Sequence, residues 1–197
     1  MCFFYLKKRS DGKMCKKIKE LNGLSAEDLL KKTGQENSIP VDISQICYDL
    51  NIRLQDVDFT KIEQNEAFKS MFETRGSILG VVLANNDELA ILYRKTDTNN
   101  RKRFTIAHEL AHCCIHMDSK LDTYIEFRLD AYSEDEREIQ ANKFAGELLI
   151  PEKSLKNIIG ETSYLYSSVV NLLSRAFAVS EKVMCERLKC LGIQIIM

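Results

Sequence analysis

Residues 101–117, RKRFTIAHELAHCCIHM, are the stretch that most limits how this chain folds. Phe104, Ile106, Ala107, Leu110, Ala111, Cys113, Cys114 and Ile115 spread apolar side chains almost all round a helix, and such a helix belongs in a core. Yet the same stretch holds all three histidines of the chain, His108, His112 and His116, and one acid, Glu109. Helical positions i and i+4 are offset by about 40°, so His108 and His112 project from one face a turn apart. Burying two imidazoles and a carboxylate together is costly without a compensating partner. A metal ion supplies that partner, and HExxH is the spacing at which two histidines bind zinc. Glu109, turned about 100° from His108, then stands beside the ion, where a carboxylate takes a proton from water. His116 is a candidate for substrate contact or for a favourable helix-end interaction with the macrodipole. Cys113 and Cys114 point away from the His108/His112 stripe and read as core.

A catalytic zinc takes three protein ligands and leaves one position open. With no further histidine, the third ligand has to be a carboxylate, and residues 133–142, SEDEREIQAN, offer several. Helical phase separates them. Glu136, Gln140, Lys143 and Glu147 recur as a polar face, whereas Glu138 shares its stripe with Ala141, Asn142, Ala145 and Leu149. A carboxylate heading an apolar stripe needs a cation, so Glu138 is the expected third ligand. Glu134 is the runner-up, although an acid at a helix start is also favoured by the macrodipole. Ala141, Ala145 and Gly146 are small enough to let this helix approach Ala107 and Ala111. Asn142, one turn after Glu138, is placed to orient a ligand histidine from behind.

The remaining pattern predicts a mainly helical α+β chain. Ser25-Ala26-Glu27-Asp28 resembles a capping box opening a helix to Lys32. Pro40 and Asp42 introduce a helix bearing Ile43, Ile46, Cys47 and Leu50, followed by a strand over 52–57. Apolar runs at 78–84 and 89–93, joined by Asn85-Asn86-Asp87, predict a β-hairpin. Helices are expected over 101–117, 134–150, 151–159, 163–177 and 180–191, with an edge strand at 193–196. The polar segments 61–76 and 117–131 suit lids or specificity loops. Residues 1–22 read as a basic, solvated leader, 23–160 as the main domain, and 161–197 as a helical subdomain packed on it.

Bulk composition removes several function classes. Lys+Arg 28 against Asp+Glu 29 leaves a net charge of −1, which gives no general attraction for nucleic acid or an anionic membrane. No apolar run reaches the roughly 18–20 residues of a membrane span. Seven scattered cysteines without a CxxC pair suit a reducing compartment, so the expected location is cytoplasmic.

Taken together, residues 103–112 (RFTIAHELAH) and 138–151 (EIQANKFAGELLIP) closely resemble the ImmA/IrrE family of metallopeptidases. Weaker similarity includes Pro40-Val41-Asp42-Ile43, Phe177-Ala178-Val179-Ser180 and Arg187-Leu188. The resemblance implies a gluzincin-like, zincin-type fold with a small β-sheet packed on the HExxH helix. It implies one zinc ion on His108, His112 and Glu138, with Glu109 as base. It further implies site-specific cleavage of a regulatory protein, typically a helix-turn-helix repressor of a phage, mobile element or stress regulon. Many relatives have Glu where this chain has Gln140; on the polar face, that change is expected to leave the metal undisturbed. The oxyanion partner stays open among His116, Tyr124, Tyr132 and the arginines.

Two other readings compete. One is a zinc-bound protein with little or no turnover. The other is a DNA-binding regulator in which 163–177 and 180–191 form a helix-turn-helix. The second of those helices lacks a basic stripe for phosphates, so a packed helical pair, closing over Val169, Leu172, Leu173, Ala176, Val183 and Leu188, is the expected outcome.

Overall fold

A computed structural model describes residues 16–65, 76–85, 88–117, 123–129 and 135–196. Local chemistry starts the first elements. Helix α1 (Lys16–Leu21) is followed by α2 (Ala26–Lys32), which opens on a capping box. The Ser25 hydroxyl accepts from the Asp28 N–H at 3.1 Å while the Asp28 carboxylate accepts from the Ser25 N–H at 3.0 Å. The chain then leaves through Gly34 at φ 66, where a Cβ would be strained. In α3 (Ile43–Asp49), the Asp42 carboxylate caps the Ser44 and Gln45 N–H groups at 3.0 Å.

Strand β1 (Arg53–Val57) and the short helix α4 (Thr60–Glu63) lead to β2 (Ile78–Asn85) and β3 (Glu88–Arg94). Next come α5 (Asn99–Ile115), β4 (Thr123–Leu129), α6 (Glu136–Leu149) and α7 (Glu152–Ile159). Strand β5 (Tyr164–Tyr166), α8 (Ser167–Ala176), α9 (Glu181–Cys190) and β6 (Gln194–Ile196) complete the described elements. The main sheet runs β1-β3-β2-β4, with β1 parallel to β3 and the other neighbours antiparallel. Strands β5 and β6 form a separate parallel pair.

The β2–β3 hairpin is apolar throughout because it is covered on both faces. Val82, Ala84, Leu89 and Ile91 enter the main core with Ile106 and Leu110 of α5. Ile78 and Val81 meet Phe59 in a second cluster on the opposite face. This is the two-residue alternation of a strand carried through two apolar layers. Helix α5 thus lies on the sheet and packs against α6, and all of Thr105–Cys114 is buried. The result is the α+β, mainly helical, zincin-like arrangement with its small sheet on the HExxH helix.

Three side chains tie the C-terminal elements to this centre. Arg103 donates from Nε to the Ala178 carbonyl at 3.1 Å and from a terminal nitrogen to the Val41 carbonyl at 2.8 Å. Asn100 donates to the Val179 carbonyl at 3.1 Å. Arg187 donates from Nε to the Ile150 carbonyl at 3.1 Å, where α6 ends. Val170, Leu173, Phe177, Met184 and Leu188 belong to the same buried cluster as α5 and α6.

Several expectations change. Residues 16–21, assigned to a solvated leader, form α1 with Ile18 and Leu21 buried, because apolar positions three apart share a helical face. Within the expected lid at 117–131, residues 123–129 pair with β2 as an edge strand. In the other expected loop, residues 61–63 are helical and 66–75 lie outside the described residues. Residues 164–166 start as strand, since Leu165 pairs with Ile195. The α8–α9 pair closes on Val170 and Met184, while Leu172 is 63% exposed and Ala176 is also exposed.

Burial pushes the Cys47 and Cys114 thiols from the ordinary 9.0 up to about 12, and for Cys47 the neighbouring Cys114 adds to the effect. The folded state therefore keeps protons that the unfolded chain releases. This contribution is fully present below 9.0 and is lost as pH rises toward about 12. The urea midpoint of the native chain should fall across that window, and less steeply in a Cys47→Ala/Cys114→Ala variant. Equal slopes for the two proteins would contradict it.

Candidate metal centre

Helix α5 begins where the Thr98 hydroxyl accepts from the Arg101 N–H at 3.4 Å, and His116 is its C-cap. Between these ends the i, i+4 spacing brings His108 and His112 together, with their Nε2 atoms 3.0 Å apart. Both residues are buried, as is Glu109.

Helix α6 closes the site from the side. The Asp135 carboxylate caps its first turn by accepting from the Arg137 N–H at 2.9 Å. Ala141 and Ala145 are buried and, with Ala107 and Ala111, leave little side-chain bulk between the two helices, whereas Gly146, expected to share that role, faces Arg187, whose Cδ would lie 3.9 Å from a Cβ there. Glu138 then reaches both rings: Oε2 lies 3.2 Å from His108 Nε2, and Oε1 lies 3.1 Å from His112 Nε2. One ligand atom from each of His108, His112 and Glu138 falls within 4.8 Å of the other two.

The electrostatics match a cation position. Burial raises the Glu138 carboxyl, but hydrogen bonds and charge interaction with His108 and His112 outweigh it and hold the group well below the usual carboxylate range. Behind His108, the Asn142 side-chain oxygen lies 2.9 Å from Nδ1. In a neutral ring with its proton on Nδ1, this contact would present the Nε2 lone pair to the shared centre. Two buried imidazoles and one partly buried carboxylate, convergent on a single point, are a donor set suited to a divalent metal.

The sheet meets the same helix at Glu109 and Thr105. A Cβ built on Gly80 of β2 would lie 2.5 Å from Glu109 Oε1 and 2.7 Å from Thr105 Cγ2. The β2–β4 register shifts between Ile78 and Gly80, so the irregular point of the strand is also the point of closest approach.

His108, His112, Glu138 and Asn142 lie within contact of one another, and Glu109 is buried on the same helix as the two histidines. Glu134 and Tyr132 lie outside the described residues, and so does the side chain of Tyr124. Gln140 is exposed on the polar face, as expected; its Oε1 lies 3.0 Å from His116 Nε2, and His116 Nδ1 lies 3.1 Å from His112 Nδ1. The position therefore reaches the site through His116, because the polar face of α6 borders the end of α5. Two contributors escaped the sequence reading. Gly80 carries no periodic signal, although an isolated glycine in an apolar strand marks a close approach. Arg137 donates to the His116 carbonyl at 3.4 Å, a cation at the C-terminal end of α5.

Residues 58–189 match the Peptidase_M78 family model, described as the IrrE N-terminal-like domain. No curated protein matches the chain.

The Gly80 contact gives a direct test. Gly80→Ala must displace a buried Glu109 or Thr105, and overpacking of this kind costs about 1–3 kcal/mol. A lowered thermal midpoint is expected, whereas an unchanged midpoint would show that the strand and helix have room to spare.

Proposed function

The chain belongs to the Peptidase_M78 family of IrrE N-terminal-like domains, and on that premise we propose that it is a zinc-dependent endopeptidase. Its proposed substrate is a regulatory protein, most specifically a helix-turn-helix repressor of a mobile element, phage or stress regulon. The observation that carries the reading is the convergence of His108, His112 and Glu138 beside the buried Glu109. A cytoplasmic reaction accords with the cysteine usage, and no helix among the described residues is long and apolar enough to cross a membrane.

In this mechanism His108 and His112, through Nε2, and Glu138, through its carboxylate, would hold the ion. A zinc ion held there supplies a Lewis acid that polarises the scissile carbonyl and acidifies water. Glu109 accepts the proton of the attacking water and returns it to the departing amine. Asn142 keeps His108 in the ring orientation that the metal needs. The main sheet and α6 surround these groups with apolar packing, which excludes bulk water and strengthens each electrostatic interaction.

The regulator reading draws no support from α9, which exposes Glu181 and Glu186 as well as Lys182 and Lys189. Such a balanced face gives phosphates little purchase.

Glu109→Gln preserves shape but removes the base. It should bind zinc as the native chain does and cut a repressor encoded beside it about 10²–10⁴-fold more slowly. Glu138→Ala should instead lower zinc affinity itself, measured against a chromophoric chelator. Undiminished cleavage by the Glu109→Gln protein would overturn the assignment of the base.

A further inference from the structure

Two charged side chains outside the metal centre converge on one backbone residue, Ile78, at the start of β2. Glu63, the last residue of α4, accepts from the Ile78 N–H through Oε1 at 2.7 Å. Arg94, the last residue of β3, donates from Nε to the Ile78 carbonyl at 2.8 Å. A terminal nitrogen of Arg94 also pairs with Glu63 Oε1, and the guanidinium lies over Phe59, 5.7 Å from the ring centroid. We propose that this Glu63–Arg94 clamp, acting through Ile78 and Gly80, positions the Glu109 carboxylate. Glu63, Arg94 and Gly80 are then positioning residues, and the assignment rests on the reading of Glu109 as the base.

The strand register shows what the clamp accomplishes. Gly80, Val82 and Ala84 alternate onto one face of β2. Val82 and Ala84 enter the core that holds α5, and Gly80 lies against Thr105 and Glu109. Unbroken alternation would carry the Ile78 side chain to that face as well. Ile78 packs instead with Val81 and Phe59 in the opposite cluster. The cause is one extra residue, Leu79: Ile78 pairs with Leu129 of β4, whereas Gly80 pairs with the adjacent Arg128. A slip of one residue exchanges the two faces of a strand. The bulge therefore takes an isoleucine away from α5 and makes Gly80 the last residue of β2 to face it. By holding both the N–H and the carbonyl of Ile78, the clamp fixes the chain on the far side of that bulge.

The fit at Gly80 leaves the carboxylate little freedom. A Cβ there would lie 2.5 Å from Glu109 Oε1, 3.0 Å from Glu109 Cδ and 2.7 Å from Thr105 Cγ2. Thr105 stands one turn before Glu109 on the same face of α5, and both residues are buried. The carboxylate thus rests against the backbone of a paired strand, which cannot rotate aside as a flexible side chain can. A base has to stand within hydrogen-bond reach of the proton it takes, and a misplacement of about 1 Å costs about 10²-fold in rate. None of the clamp residues belongs to the His108–His112–Glu138 cluster, so disturbing them shifts the base and spares the metal ligands.

The zinc-loaded full chain and a repressor encoded beside it supply the kinetic test. Gly80→Ala should lower kcat about 10²-fold and leave KM and zinc affinity, read against a chromophoric chelator, unchanged. In a Glu109→Gln background the same substitution should cost no further rate, because the base it displaces is already gone. Glu63→Ala should also lower kcat alone, while Glu63→Gln, which keeps an acceptor for the Ile78 N–H, should retain most of the native rate. Crystal structures of Gly80→Ala and Glu63→Ala should show the Glu109 carboxylate displaced, with His108, His112 and Glu138 in their native places. Equal rate losses in the two backgrounds, a parallel fall in zinc affinity, or an unmoved Glu109 carboxylate in both variants would overturn the proposal. If the native chain cuts no repressor, the proposed reaction fails, and the position of Glu109 in the two variant crystals still decides whether the clamp and Gly80 hold it.

Discussion

Two imidazole nitrogens 3.0 Å apart, buried, with a carboxylate 3.1 and 3.2 Å from them, set the terms for everything around them. Two bare nitrogens at that separation repel, and protonating one of them removes a ligand. A cation between them turns repulsion into coordination and offsets the desolvation of three polar groups. The surrounding elements serve that geometry. Alanines let α5 and α6 come close, Gly80 lets the sheet reach Glu109, and Arg137 steadies the C-terminal end of α5.

The outlying family-like segments acquire a physical role in the same way. Arg103, at the start of the first central motif, reaches the Val41 carbonyl on one side and the Ala178 carbonyl on the other. These are the upstream and downstream stretches whose similarity looked weak in the sequence. Arg187 reaches the Ile150 carbonyl at the end of the second motif. A carbonyl accepting from a buried guanidinium needs no particular side chain of its own, only a chain held at the right place. Such segments therefore keep a shape more strictly than a spelling.

Much of the site was legible because helical phase is a strong signal. His108 and His112 had to share a face, and Glu138 had to share a stripe with alanines, whatever the tertiary contacts. Capping residues likewise marked the starts of α2 and α3. What escaped depended on partners from elsewhere in the chain. Residues 123–129 alternate Ile125, Phe127 and Leu129 with Glu126 and Arg128, a two-residue period that surrounding polar sequence obscured. Gln140 looked idle because its own helix places it in solvent. Only the end of α5 gives its amide something to orient. In α8 the core beneath the helix takes Val170, Leu173 and Phe177 and leaves Leu172 in solvent, a choice between adjacent apolar stripes that only the tertiary contacts make.

X-ray absorption of the zinc-loaded chain measures the proposed coordination directly. The expected shell contains two imidazole nitrogens at about 2.0–2.1 Å and oxygen ligands at about 2.0–2.2 Å, one from Glu138. Substituting Glu138 should change the oxygen contribution and leave both imidazoles in place. A sulfur neighbour at about 2.3 Å, or a shell without two imidazoles, would contradict a centre built from His108, His112 and Glu138.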